Sequence, residues 1–497
     1  MATLKEVVMS EVPWDRAEIR SRLKPWVLDD YLTNYQKEAW QWSIHRDGSL
    51  LWWACGAGKT LAALLWLVSK PASEKKLIVT RAPAKQQWRF QAAQYTTLKP
   101  AVLSGFKATK LADDTECVIV SWEMLPHWLK ELKRWVGDGE FAIVWDELHK
   151  GKAWNRKEKY VTPNGRVGYR WKDNRAAASA RLTNVATRRM GLTATPIRDR
   201  RSDLWAQLDL IDPGQWGSNW DFVHRYCDAK RGDYGGLDTT GTSNCEELRS
   251  KLDPYIHAVK YAEMAKSLPA KRRQQVYLPP EDQSKPVGFK SEYKKIASKG
   301  KQAQFELQLL EASARKRNWI AETVSDLLES GQKVTVFTGR RKDCERLAST
   351  ITTKSKKVKE AKFWSGHGGN SLADRQRMVK EYAEYDGPGV LVGTTDAFGE
   401  AIDGLQNTDT AIFALLPWTP GQVTQAEGRF SRQGSTRPVL ISYIIAEGTV
   451  DERVADVLLS KLEAVHETLE DEEAGGVART LSGQDDEDAI LEQLFNM

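Results

Sequence analysis

Residues Leu51 to Val68 read LWWACGAGKTLAALLWLV: an apolar run, a break of small residues around a lysine, and a second apolar run. Gly-Ala-Gly-Lys-Thr is the least core-like insert available between two core-forming segments, so the backbone must have a task there. A buried strand ending at Trp53, a tight loop and a helix starting near Lys59 together make a phosphate cradle. Loop N–H groups turn inward and the positive end of the helix faces the anion. Gly56 and Gly58, on either side of Ala57, let the backbone approach phosphates with no Cβ in the way. Lys59 then reaches the β- and γ-phosphates of a nucleotide, and the Thr60 hydroxyl holds Mg2+. Against the Walker A pattern G-x-x-x-x-G-K-[ST] the stretch departs at Trp53, where the first glycine belongs.

A second element belongs with the first. The strand-like FAIVW (141–145) runs directly into Asp146-Glu147-Leu148-His149. Two adjacent carboxylates thus stand at the carboxyl end of a buried strand, where open α/β sheets bind ligands. One of the two can hold a metal while its neighbour orients a water for attack on the γ-phosphate. Helix capping would explain two consecutive acids elsewhere, but not as well in the same lobe as a phosphate loop.

Around these elements the chain is organised as two α/β lobes. At 497 residues it is too long for one hydrophobic core. Between positions 50 and 210, LLWW (50–53), LIVT (77–80), CVIV (117–120), FAIVW (141–145) and RMGLT (189–193) alternate with helix-like stretches. That alternation predicts a mostly parallel sheet covered by helices. A second series is KVTVFT (333–338), KFW (362–364), VLVGT (390–394), AIFALL (411–416) and VLISYII (439–445). The expected divisions are an N-terminal segment (1–30), a first lobe (31–212), a connector (213–280) rich in turn residues and carrying some helix, a second lobe (281–465) and an acidic tail (466–497).

The formal net charge of +6 conceals a division. From His466 onward there are ten acidic residues and one arginine, a net of −9, which leaves +15 on residues 1–465. A basic body suggests a polyanionic partner and the tail a solvated arm. Basic clusters lie at 271–273, 294–295, 315–317, 340–342 and 354–359. The tail could also fold back onto a nucleic-acid path, or dock a protein partner through Ile490, Leu491, Leu494 and Phe495. No apolar stretch reaches the roughly 18 residues needed to span a bilayer, and MATLKEVVMSEVPWD lacks a basic flank and an apolar signal core. The expectation is a soluble intracellular protein with no membrane partner. The five cysteines form no C-x-x-C pair and read as buried free thiols. Of 20 tryptophans, 17 precede Asp221, and most of these read as core, a few as candidates to stack on bases.

Taken together, these residues resemble the nucleic-acid-dependent ATPases of helicase superfamily two, which pair a phosphate loop with a D-E-x-H box. The resemblance runs from about Tyr31 to Val454. It implies two tandem RecA-like lobes with the nucleotide at the interlobe cleft. Tyr35-Gln36 resembles the adenine-reading glutamine motif. VTRAPAKQQW (79–88) resembles the motif that touches the nucleic-acid backbone, which points to Arg81 and Pro83. GLTATP (191–196) resembles the coupling motif, with Thr193 and Thr195 in it and His149 closing the D-E-x-H box. TTDAFGEAID (394–403) resembles motif five, placing Thr394 and Thr395 toward nucleic acid and Asp403 toward the nucleotide. QAEGRFSRQG (425–434) resembles motif six. Gln425, Arg429 and Arg432 are spaced to share one face of a helix, and two guanidiniums so placed call for an anion between them, such as a γ-phosphate.

SWEML (121–125), LDLIDPGQWGSNWDFVHRY (208–226), PWTPGQVTQAEGRFSRQGSTRPV (417–439) and EGTVDERV (447–454) resemble the Swi/Snf-type duplex-DNA translocases, here in a compact form. Phe398 and Ala401 stand where that branch favours glycine, and Asp403 replaces its asparagine. The implied activity is ATP hydrolysis that drives movement along duplex DNA through alternate closing and opening of two lobes. A strand-separating or annealing helicase acting on forks or RNA is the nearest alternative. An inactive nucleic-acid-binding scaffold would have lost Lys59, Asp146, Glu147, Arg429 or Arg432, and all are present.

Overall fold

The structure, a computed structural model, describes residues 16–28, 31–54, 56–151, 157–161, 167–172, 174–231, 236–259, 269–284, 301–399, 404–431 and 435–482, with backbone alone for 157–161, 167–171 and 301–302. Asp403, Arg432, Cys55 and the apolar positions Ile490, Leu491, Leu494 and Phe495 lie outside the described residues. The chain divides into two compact units, Met1–Lys260 and Tyr261–Met497.

The strands of the first unit are β1 (Gly48–Trp53), β2 (Lys75–Thr80), β3 (Ala101–Val102), β4 (Cys117–Ser121), β5 (Phe141–Asp146), a hairpin of β6 (Lys157–Val161) and β7 (Val167–Trp171), β8 (Arg188–Thr193), a short pair β9 (Lys230–Arg231) and β10 (Leu237–Asp238), and β11 (Ile256–Val259). Seven of them form one sheet in the order β11-β1-β8-β5-β2-β4-β3, with every pairing parallel. Parallel strands joined by helical crossovers are covered on both sides, so they read as apolar runs rather than alternating ones. Leu77, Val79, Val118, Val120, Ile143 and Trp145 form the centre of this core. The sheet order has a chemical consequence. The carboxyl ends of β1, β8, β5 and β2 are neighbours along one rim, and the glycine loop after β1, the GLTATP run, the carboxylates and Arg81 are strung along it.

The second unit is built the same way from β12 (Lys271–Leu278), β13 (Lys333–Thr338), β14 (Lys362–Gly366), β15 (Gly389–Thr394), β16 (Thr410–Phe413) and β17 (Val439–Ala446). Their order is β12-β17-β16-β13-β15-β14, again all parallel. Val334, Val336, Val390, Val392, Ile412 and Ile444 pack its core against the 29-residue helix Lys301–Glu329. The α/β class and the two tandem lobes expected from the sequence are what is found.

Three expectations need correction. The segment 213–280 is not a separate connector. It carries the helices Asn219–Tyr226 and Cys245–Leu252, then gives β11 to the edge of the first sheet and β12 to the edge of the second. Its turn residues hid two edge strands, and edge strands carry weak apolar signals. The tail from His466 is not a solvated arm over its first part. The helix Val450–Leu469 continues through it, and a further helix, Glu472–Leu481, buries Ala474, Val477, Ala478 and Leu481. Two of the basic clusters send cations into the interior. Lys271 and Arg273 pair with Glu427 and Glu473, and Lys316 is fully buried against Asp451.

The N-terminal segment also joins the first unit, burying Ile19, Leu23 and Val27 and bridging Leu23 to Thr96. Trp40, Trp53, Trp66, Trp88, Trp122 and Trp145 are wholly buried, while Trp220 is 62% exposed. Cys117, Cys227 and Cys344 are buried free thiols and Cys245 is half-buried. Among the described residues no helix is long and apolar enough to cross a membrane.

Candidate active site

The loop after β1 has the backbone that its glycines permit. Gly56 and Gly58 lie at φ +84° and +77°, the left-handed region that costs other residues about 1–2 kcal/mol. Gly58 is the N-cap of the helix Lys59–Val68. A Cβ there would stand 2.3 Å from Gln36 Nε2, so that amide would have to swing aside, and φ +77° would strain any side chain at this position. Lys59 donates from Nζ to the carbonyls of Trp53 (2.8 Å) and Ala54 (3.1 Å), lying across the mouth of the loop. Thr60 is the second residue of the same helix. Tyr35 donates from Oη to Ala57 O at 3.2 Å and meets the Trp53 ring edge-on. Gln36 has a structural task as well. Its Oε1 accepts from Thr33 N, closing a capping box for the helix Asn34–Ser43. Tyr35, Gln36, Gly56, Ala57, Gly58, Lys59 and Thr60 are therefore gathered at one place.

The two carboxylates at the end of β5 differ. Asp146 Oδ2 accepts from Thr80 Oγ1 (2.6 Å) and from the Trp88 indole Nε1 (2.8 Å). Burial and then the neighbouring Glu147 push its pKa up to about 6. Thr80, Trp88 and the Lys59 charge act in the opposite sense. Glu147 sits at φ +52°, a strained conformation for a side chain with a Cβ. Its Oε2 is buried with no hydrogen bond, and His149 Nδ1 lies 3.4 Å away. A buried carboxylate oxygen with no hydrogen bond, beside a loop whose glycines hold left-handed φ, fits a site for a phosphate chain, a divalent cation and an attacking water.

The residues expected from the sequence to couple, His149, Thr193 and Thr195, form a chain beside these. His149 is buried, with Nδ1 3.5 Å from Thr193 Oγ1 and Nε2 2.9 Å from Arg198 Nη1. Thr193 Oγ1 accepts from Thr195 N at 3.0 Å. Arg81 and Pro83 lie in the turn after β2, ahead of the helix Lys85–Tyr95 that carries Trp88. Sequence reasoning missed Thr80, Trp88 and Arg198 as site residues. Thr80 and Trp88 fall within the VTRAPAKQQW run, whose resemblance pointed outward to nucleic acid and masked their inward bonds to Asp146.

In the second unit Thr394 ends β15 and Thr395 opens the short helix Thr395–Phe398; both are buried, Thr395 donating to Thr338 O at 3.3 Å. The expectation that Gln425 and Arg429 share a helix face is corrected. The helix Pro420–Glu427 stops at Gly428, and Arg429 lies in the following turn, where Phe430 turns its ring into the core against Phe337. Gln425 is buried in the helix, and Arg429 Nε donates to Gly399 O at 3.0 Å.

Residues 35–325 match the family model described as an SNF2-related domain, and residues 316–434 match that of a helicase conserved C-terminal domain. The SWI/SNF-related matrix-associated actin-dependent regulator of chromatin subfamily A-like protein 1 of Xenopus tropicalis is 27% identical over 487 residues, covering 92% of this chain and 47% of its own length. The DNA annealing helicase and endonuclease ZRANB3 of Mus musculus is 23% identical over 394 residues, covering 71% of this chain and 36% of its own. The chain thus spans less than half the length of these two relatives. Among solved structures, the DUF1998 helicase MrfA bound to DNA aligns with a TM-score of 0.54 at 16% identity, over 87% of this chain and 51% of that one, a likeness of fold.

Proposed function

The chain belongs to the SNF2-related domain family, and from that premise we propose that it is a nucleic-acid-dependent ATPase that uses ATP hydrolysis to move along duplex DNA. The observation that carries the reading is the rim of the first sheet. There the tight glycine cradle with Lys59 and Thr60, the Asp146–Glu147 pair and the His149–Thr193–Thr195 chain stand at the ends of β1, β5 and β8.

In this reading Lys59 leaves the Trp53 and Ala54 carbonyls to neutralise phosphate oxygens. Thr60 and Asp146 would hold Mg2+, which supplies charge neutralisation on the β- and γ-phosphates when bound. Glu147 orients the attacking water and takes its proton. His149, Thr193 and Thr195 pass the state of the γ-phosphate to the turn that carries Arg81 and Pro83. Arg429 and Arg432 stabilise charge in the transition state, so nucleotide binding favours closure of the lobes and hydrolysis favours opening. Thr394, Thr395 and Asp403 would serve the second lobe's part of that cycle.

The test is ATPase activity with and without duplex DNA. A rise of about tenfold or more is expected, as nucleic-acid contact assembles the coupling chain; equal rates would end the proposal. A relative named as an annealing helicase favours a second reading in which forked or complementary strands are the substrate. Comparing single strands, duplexes, forks and RNA in the same assay separates the two.

A further inference from the structure

We infer that Glu473, in the helix Glu472–Leu481, is a positioning residue for the turn that carries Arg429, acting through two cations that it shares with Glu427. The inference rests on the ATPase reading for its catalytic consequence, and on geometry within the second unit for everything else.

Glu427 is the last residue of the helix Pro420–Glu427 and is 1% exposed. It accepts from Arg273 Nε at 2.9 Å and Nη2 at 2.7 Å, from Lys271 Nζ at 3.2 Å and from the Tyr443 hydroxyl. The same two cations reach Glu473, Arg273 through Nη2 at 2.8 Å and Lys271 through Nζ. Two cations and two carboxylates balance only if Glu473 is counted. Without it, Glu427, itself 1% exposed, faces two positive charges alone, and uncompensated charge beside a buried group is costly. Burial pushes the Glu427 pKa up, yet Arg273 and Lys271 overcome it and hold the group down at about 2, as expected for a carboxylate locked in place by cations.

The sequence of the C-terminal helix makes sense only if it must come this close. Gly475 and Gly476 are consecutive within a helix, at about 1 kcal/mol each relative to alanine. A Cβ at Gly476 would meet Arg273 Nη1 at 3.0 Å, and one at Gly475 would meet the His466 ring at 2.8 Å. The glycines let the helix backbone settle over Arg273, and that proximity sets Glu473 on the cation pair.

Glu427 in turn anchors the turn from Gly428 to Phe430. Gly428 N donates to Thr424 O (2.9 Å), Arg429 N to Ala426 O (3.2 Å) and Phe430 N to Glu427 O (3.0 Å). With Glu427 held by its side chain and Phe430 by its ring, Arg429 between them has little freedom of position. One acidic residue of the tail, Glu473, therefore braces the arginine turn.

The test uses the full chain with Glu473→Gln and with the charge-balanced double variant Lys271→Met/Glu473→Gln, read by amide hydrogen exchange and by DNA-stimulated ATPase. In Glu473→Gln the amides of Gly428 and Phe430 should exchange about tenfold faster and kcat should fall about tenfold, with the KM for ATP within about twofold. The double variant should recover most of both, because it removes one charge of each sign; a helix that merely tethered the C-terminus would give no such rescue. Wild-type protection of the turn in Glu473→Gln, or a double variant no better than the single one, overturns the inference. A wild-type chain whose ATPase ignores DNA overturns the functional reading instead, and the exchange result still decides the brace.

Discussion

The Trp88 indole donates its one hydrogen to Asp146 Oδ2 at 2.8 Å, tying the helix after the Arg81–Pro83 turn to the carboxylate expected to hold the metal. With Thr80 Oγ1 on the same oxygen, Oδ2 is committed and the carboxylate plane is fixed. Trp88→Phe keeps a ring in a fully buried position and deletes the donor. A hydrogen bond to a charged group is worth about 1.5–3 kcal/mol, so kcat should drop by roughly ten- to a hundredfold and the Mg2+ concentration for half-maximal rate should rise. Steady-state ATPase across a Mg2+ series reads both; unchanged values would show this bond to be idle.

Gly58 is the position where the cradle is least forgiving. Gly58→Ala forces a side chain into φ +77° and against Gln36 Nε2, whose other amide atom closes the capping box with Thr33. The left-handed conformation costs about 1–2 kcal/mol, and displacing the cap about 1 kcal/mol more. Nucleotide affinity should fall more than about tenfold while the melting temperature drops by only several degrees. Titration with a fluorescent nucleotide and a thermal scan check the pair of outcomes, and wild-type affinity would contradict the cradle.

The Glu427 cluster should be visible in the pH dependence of stability. Its carboxyl is held down at about 2 against an ordinary 4.5. A depressed folded value contributes stability that is complete above 4.5 and is lost as pH falls through about 2. Glu427→Gln leaves Lys271 and Arg273 under-compensated, at a cost of about 3–5 kcal/mol at pH 7. Denaturant unfolding of the two proteins should show a wide gap at pH 7 that narrows below pH 4.5. A gap independent of pH would place the loss in packing rather than charge.

Most of the fold was legible because parallel strands are buried on both faces, so runs such as FAIVW and VLVGT announce themselves. The edge strands β3, β11 and β12 were not legible, since an edge needs little apolar sequence and β12 begins Lys-Arg-Arg. Those basic residues read as surface because their partners, Glu427 and Glu473, lie 154 and 200 positions from Arg273. In the first lobe, residue types alone singled out Gly58, Lys59, Asp146 and Glu147, and the fold sets them along one rim of the sheet. Trp88 was not legible, because an indole donor to a buried carboxylate leaves no spacing signature. The helical reading of Gln425 and Arg429 failed at Gly428, where the chain turns to bury Phe430.

Lys316 and Asp451 give the last prediction. Lys316, in the helix Lys301–Glu329, is 0% exposed and donates to Ile444 O at 3.1 Å; Asp451, 2% exposed, faces it at 2.5 Å and also accepts from Ala446 N at 3.2 Å. The pair joins two helices to the end of β17. Lys316→Met removes the cation and strands a buried carboxylate, at about 3–5 kcal/mol. Lys316→Met/Asp451→Leu removes both charges and should recover most of that loss, because an apolar pair of similar volume replaces a buried ion pair at little net cost. The Ala446 amide then loses its acceptor, so recovery should stop about 1–3 kcal/mol short of wild type. Thermal and denaturant unfolding of the second unit measure the series. A double variant as unstable as Lys316→Met would mean that the pair's geometry, and not its charge balance, holds the helices in place.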